Sequence, residues 1–205
     1  MIVQSRIDID TLKNPNFIGC WSHVDVDLCE EIIRFFEGHP ELHVEGKIGL
    51  GNVDESVKKT TDLQIEPVDL QKDDYQFFNR YFQLLHECFQ DYCEQWRFLK
   101  EEFKDRFHSG PFNVQRYEIG DHFSGLHAER VNFTTIHRIF AWMTYLNDVT
   151  EGGETEFPHY GLKIRPVAGK TLIWPAEWTH AHLGSVVTKG TKYIITGWMH
   201  FPDNT

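Results

Sequence analysis

Nowhere does the 205-residue sequence run to 18 consecutive apolar side chains, about the length a helix needs to cross a bilayer, and residues 1–10 lack the apolar centre of a signal peptide. These absences lead to the expectation of a soluble, cytoplasmic protein with no membrane partner. Cysteine is scarce: Cys20, Cys29, Cys88 and Cys93 form neither a C-x-x-C pair nor a scaffold spacing, so reduced core thiols are expected rather than a disulfide framework. Positive charge is short as well. Twenty Lys and Arg stand against 31 Asp and Glu, a net charge of −11, and Lys58-Lys59 is the one short basic patch. Sequence-independent binding to phosphate backbones runs on clustered cations, so nucleic acid is disfavoured as a partner. Internal repeats and low-complexity tracts are absent. So is the H-E-x-x-H signature, which argues against a zinc hydrolase.

What is present points to a packed globule. Hydrophobic residues make up 40% of the chain and aromatics 14%, with 16 Phe and six Trp, too much for a disordered chain. Residues 25–36 predict a helix, with Leu28, Ile32, Ile33 and Phe36 on one face and Gly38-His39-Pro40 as its stop. Residues 74–99 predict a second, its stripe formed by Phe78, Phe82, Leu85, Phe89 and Tyr92 and expected to buttress a β core. Residues 63–65 read as a short strand. From Phe112 the pattern turns to β: 112–117, 138–146, 161–167, 171–174, 182–187 and 193–201 are extended candidates, separated by turns at 118–120, 152–153, 168–169 and 189–190. Period-2 alternation puts Ala141, Met143 and Tyr145 on one face. The expectation is an α+β, mainly β fold in one domain spanning 1–205, with 1–110 as helical support and lid and 111–205 as a sandwich or barrel.

Within that β region lies the chemistry. His127-Ala128-Glu129 places an imidazole and a carboxylate two residues apart, so both can point to one side of an extended segment, and His182 offers a distant partner. Two histidines and one carboxylate cap one face of an octahedral Fe(II) and leave three positions for a chelating co-substrate and O2, though the donor set also suits Mn, Co, Ni and Zn. His180 rivals His182, because both fall on one face of an extended 179–182 segment. The remaining histidines lack a partner at ligand spacing; His122 and His137 flank the motif as weaker candidates for substrate contact.

The order of motifs resembles the prolyl-4-hydroxylase-like branch of the Fe(II)/2-oxoglutarate-dependent oxygenases. The carriers are His127-x-Glu129, Tyr145-Leu146-Asn147, Gly152-Gly153-Glu154-Thr155, His182, Lys192 ten residues later and Trp198 six further on, within residues 112–201. The resemblance implies a double-stranded β-helix, or jelly-roll, core with iron in its mouth. It implies His127, Glu129 and His182 as iron ligands and Lys192 as the cation for the distal carboxylate of 2-oxoglutarate. Tyr145 would add a hydroxyl to that carboxylate, Tyr117 would approach the co-substrate from an earlier strand, and Arg138 would be structural. The ten-residue step from His182 to Lys192 matches the family, whereas His180 would need twelve. Most members carry Asp where this chain has Glu129, an H-x-E form similar to phage-like and marine bacterial sequences. The extra methylene carries the carboxylate about 1.5 Å further out. A carboxylate there argues against halogenation.

The implied reaction consumes 2-oxoglutarate and O2, with ascorbate as an optional addition, releases succinate and CO2, and hydroxylates a peptidyl side chain, proline among them, or a small molecule. Two alternatives stay open: a nucleic-acid demethylase, disfavoured by charge and by lysine as the co-substrate cation, and a cupin-like module that binds without turnover. Oligomeric state is not encoded in any motif. Substrate contacts are expected on the loops 46–59 and 130–136, and residues 45–61, with Gly46, Gly49 and Gly51 and few apolar anchors, are expected to form a mobile lid whose Lys58-Lys59 attracts an acidic partner.

Overall fold

The computed structural model describes residues 15–49, 51–103 and 108–201. The 1–10 stretch read for a signal peptide lies outside them, as does Leu50 of the expected lid. The first half contains β1 (Gly19–Ser22), α1 (Val26–Gly38), β2 (Val44–Glu45), β3 (Lys58–Lys59), β4 (Thr61–Ile65), α2 (Gln76–Glu94) and α3 (Arg97–Glu102). The second half is β: β5 (His108–Ser109), β6 (Phe112–Tyr117), β7 (His122–His127), β8 (Arg138–Tyr145) and β9 (Thr155–Phe157) come first. β10 (Leu162–Ile164), β11 (Lys170–Pro175), β12 (His182–Gly184) and β13 (Lys192–His200) complete it. The larger sheet runs β1-β11-β8-β13-β6-β4-β2 with β5 beside β13, and the smaller runs β10-β9-β12-β7-β3. All pairings are antiparallel, and the two sheets make the expected jelly roll under a helical layer.

Alternation along the large sheet divides the core in two. On β8, Phe140 and Trp142 point to the helices while Ala141, Met143 and Tyr145 point between the sheets, as their period-2 spacing predicts. The outer layer joins Ile173, Ile195, Phe112 and Val114 to Leu28, Ile32 and Phe36 of α1 and Phe78, Leu85 and Phe89 of α2. Both helices form because their apolar residues recur on one stripe, and each buries that stripe on the sheet. α1 ends at Gly38, where the His39 and His43 side chains lie 2.8 Å from carbonyls of its last turn, those of Phe35 and Phe36. The long second helix predicted over 74–99 is two: Trp96 turns extended, at φ −128° and ψ 111°, and its ring packs 4.7 Å from Phe17, separating α2 from α3.

One polar chain crosses this otherwise apolar layer. The Tyr81 hydroxyl of α2 lies 2.8 Å from Thr144 Oγ1, which lies 2.7 Å from Thr171 Oγ1, all fully buried. Thr144→Val removes the middle link and leaves a buried phenol without its partner, so a loss of about 1–3 kcal/mol is expected, read as a lower urea midpoint. An unchanged midpoint would show that the chain contributes nothing.

Candidate metal and co-substrate site

The smaller sheet brings the sequence-distant histidines together. β12 and β7 are antiparallel neighbours with His182 and His127 directly opposed, and their ring centroids are 4.4 Å apart. Glu129 lies two residues beyond the end of β7, and its Oε1 is 3.3 Å from His182 Nε2 and 3.6 Å from His127 Nε2. Ligand atoms of the three residues all fall within 4.8 Å of one another, and among the described residues no other group of three His, Cys, Asp or Glu does so.

Backbone contacts decide which nitrogens face the carboxylate. His127 Nδ1 is 2.8 Å from the Gly125 carbonyl and His182 Nδ1 is 3.0 Å from the His180 carbonyl. A carbonyl only accepts, so each Nδ1 carries a proton and each Nε2 is the ring atom left to turn toward a metal. Burial alone would raise the Glu129 carboxyl, but its contacts with His127 and His182 outweigh that and hold it well below the usual carboxylate range. The donor set therefore fits one divalent ion.

His180 and His182 do not share a strand face. Trp178–His180 is a 3-10 turn, which sends the buried His180 ring away from Glu129 to the Asn16 carbonyl at 2.8 Å, with the Tyr160 hydroxyl at 3.3 Å. Of the two, only His182 reaches the carboxylate.

A cleft of about 720 Å³ opens between the sheets, lined by the three candidate ligands and, deeper, by Tyr117, Met143, Thr155, Trp174 and Lys192. Lys192 begins β13 directly opposite Tyr117 on β6 and is 3% exposed. Its ammonium lies 4.9 Å from the Tyr117 ring centre and 5.6 Å from that of Tyr145. Among the described residues it has neither a hydrogen bond nor an ion pair. Burial pushes it down to about 8, against the pull of Glu154. A buried cation facing a cleft with no ion-pair partner suits an anionic ligand.

Two expected donors are engaged elsewhere. Tyr145 does not offer its hydroxyl to the cleft: it donates to Thr155 Oγ1 at 2.6 Å and lies 3.0 Å from the Ile164 carbonyl, in the layer behind. The Tyr117 hydroxyl lines the cleft but donates to Gln115 Oε1 at 2.8 Å. Thr155 is the hydroxyl that sequence reasoning missed, having assigned its segment to a structural turn. Its Oγ1 lies 2.6 Å from the Tyr145 hydroxyl, and the residue lines the cleft. The signal was short but legible: Thr155 and Phe157 alternate with the charged Glu156, a strand pattern.

The expected basic patch is neutralised within the protein. Lys58 is buried against Asp62 at 2.6 Å, and Lys59 pairs with Asp121 at 3.1 Å. β3 also pairs with β7, and the Gly125 amide donates to the Val57 carbonyl, so the end of the 45–61 segment is tied to the sheet that carries His127. Attraction of an acidic partner by Lys58-Lys59 is thereby contradicted. His137 lines the cleft and packs edge-on to His200 at 4.4 Å, whereas His122 lies outside the cleft lining. Arg138 places its guanidinium 3.5 Å from the centre of the Trp198 ring and donates to the Glu129 main-chain carbonyl at 3.2 Å.

Comparison with known proteins finds similar sequences and folds. Residues 112–200 match the family model described as the 2OG-Fe(II) oxygenase superfamily. Over 124 residues, 48% of this chain, the sequence is 31% identical to a probable prolyl 4-hydroxylase 9 of Arabidopsis thaliana, and it is 27% identical over 122 residues to prolyl 4-hydroxylase 13 of the same plant. The chain spans less than half of these relatives, 43% and 44% of their lengths. Among solved structures, a Pseudomonas putida prolyl-4-hydroxylase superposes with a TM-score of 0.67 at 16% identity, covering 90% of this chain and 92% of the other. A Trichoplax adhaerens prolyl hydroxylase in complex with a hypoxia inducible factor peptide fragment superposes at 0.70 with 13% identity, covering 91% and 84%. Those two likenesses establish the fold. Through the family model over residues 112–200 and the plant relatives, this chain is similar to the 2OG-Fe(II) oxygenase superfamily and, within it, to prolyl 4-hydroxylases.

Proposed function

We propose that this protein is an Fe(II)- and 2-oxoglutarate-dependent hydroxylase of a peptidyl C–H bond, proline foremost, or of a small molecule. The observation that carries the reading is one cleft with a metal-competent His127–Glu129–His182 cluster at its mouth and the buried Lys192 ammonium, without an ion-pair partner, deeper in. His127, Glu129 and His182 would hold the iron. Lys192 would pair with the distal carboxylate of 2-oxoglutarate, with Thr155 beside it and Tyr145 holding Thr155 from behind. When bound, iron and co-substrate would supply oxidative decarboxylation with O2, releasing succinate and CO2. The protein's own part is to fix donor tautomers, aim the co-substrate and exclude water, for which Met143, Trp174 and Ile194 supply apolar walls. Of the 45–61 segment expected to form a lid, Ile48, Gly49 and Gly51 line the cleft and would contact substrate. No helix among the described residues is long and apolar enough to cross a membrane, and the four free cysteines suit the reducing cytoplasm.

The test is a succinate-release screen with Fe(II), 2-oxoglutarate and proline-containing peptide or amino-acid pools, followed by mass spectrometry for gain of one oxygen. Succinate that rises with a peptide pool supports the reading; tight binding of both metal and 2-oxoglutarate without turnover favours a cupin-like binding module.

Affinity for 2-oxoglutarate should also follow the charge on Lys192. Its ammonium in the free protein titrates near 8 and a bound carboxylate raises that value, so protein and ligand together take up a proton on binding above pH 8. Affinity is then flat below pH 8 and falls by up to about tenfold per pH unit above it, and Lys192→Arg, charged throughout, flattens the profile. A wild-type profile flat to pH 10 would contradict this role.

A further inference from the structure

Glu129 has one methylene more than the aspartate typical of this position, and so one more rotatable bond over which its carboxylate can wander. The structure restrains it at the oxygen that does not face the histidines. The Trp198 indole N–H donates to Glu129 Oε2 at 2.7 Å, while Oε1 faces both imidazoles. Such a distance is at the short end for a charge-assisted bond. Trp198 is held in turn by Arg138, whose guanidinium stacks on the indole at 3.5 Å, lies 3.7 Å from Oε2 and grips the Glu129 backbone through its carbonyl. Trp198 shares the inward face of β13 with Lys192, opposite Ala141 of β8, so a rigid central strand aims it.

We propose that Trp198 is a positioning residue for the Glu129 carboxylate: its indole ties down Oε2 so that Oε1 alone is presented to the ion, which offsets the freedom that the longer side chain introduces. The inference rests on the reading of His127, Glu129 and His182 as a metal site. Held at Oε2, Glu129 would offer an ion one oxygen instead of two. Arg138 supports the arrangement from the far face of the indole.

The test is a double-mutant cycle read by Co(II) binding to the purified full chain, followed by visible absorption. Trp198→Phe keeps the ring but loses the N–H, and should weaken Co(II) binding about 10–100-fold, as is usual for loss of a ligand's hydrogen-bond partner. In a Glu129→Asp background the carboxylate retreats by about 1.5 Å, out of reach of the indole. There the same Trp198→Phe change should matter by no more than about twofold. Equal losses in both backgrounds would show that Trp198 acts by packing alone and would overturn the proposal, as would an unaltered affinity in Trp198→Phe. A wild-type protein that binds no Co(II) would instead remove the underlying metal reading, and the proposal with it. If Trp198→Phe does not fold, the apoprotein answers: in Glu129→Ala, one of the six tryptophan indole N–H resonances should lose a downfield, hydrogen-bonded shift. Six unmoved indole signals would overturn the proposal without reference to any metal.

Discussion

His182→Ala is expected to lower divalent-metal affinity by more than about 100-fold, above the range for loss of a mere outer-shell partner, and to take Fe(II)-dependent succinate release to background. The reason lies in the pairing of β7 with β12. His182 and His127 face each other across that pair and meet Glu129 Oε1 at 3.3 and 3.6 Å, so removing one imidazole leaves two donors that cannot define a face of an octahedron. His182 also packs on Trp174 and Phe157, at 5.0 and 5.5 Å between ring centres. His182→Gln, which fills more of that space, separates lost ligation from lost packing. Near-native metal affinity in both variants, with native melting, would remove His182 from the site.

Lys192→Ala should weaken 2-oxoglutarate binding about 10–100-fold, corresponding to roughly 1.5–3 kcal/mol for a charge-assisted contact, and leave metal affinity nearly unchanged. The apoprotein should not suffer in proportion. A buried ammonium without a carboxylate is unfavourable before the ligand arrives, and the downward push on Lys192 expresses that cost. Lys192→Met, which keeps the length and loses the charge, is accordingly expected to melt no lower than wild type while binding 2-oxoglutarate as poorly as the alanine variant. Calorimetric titration of 2-oxoglutarate beside thermal melts reads both effects; unaltered co-substrate affinity would end the assignment.

The features most legible in the sequence were those set by local periodicity. Phe112–Tyr117 is the predicted strand to the residue, and Leu28, Ile32 and Phe36 do share the buried stripe of α1. The jelly roll itself came from the order of motifs, which fixes long-range topology in a way that periodicity cannot. What stayed illegible depended on contacts between distant segments. β7 reads poorly as a strand, since Leu126 is exposed and Ser124 and Gly125 carry no apolar signal; pairing with β12 and β3 makes it one. Lys58 and Lys59 look like a free basic patch until Asp62 and Asp121 are brought beside them. Tyr145 lies on the predicted face, yet Thr155, ten residues on, stands between its hydroxyl and the cleft. The step to Lys192 favoured His182 over His180, but the 3-10 turn that sends His180 away from the carboxylate is not announced by alternation.

The claim at the centre of this account is that the His127–Glu129–His182 cluster and Lys192 serve a single turnover. Its most direct measurement follows succinate formed from 2-oxoglutarate under air, with and without Fe(II), in wild type, His182→Ala and Lys192→Ala. The account predicts iron-dependent succinate in wild type, background in His182→Ala at any 2-oxoglutarate concentration, and recovery toward the wild-type rate in Lys192→Ala as 2-oxoglutarate is raised about 10–100-fold. Iron-dependent succinate that survives His182→Ala, or that shows the same 2-oxoglutarate dependence in Lys192→Ala as in wild type, would contradict it.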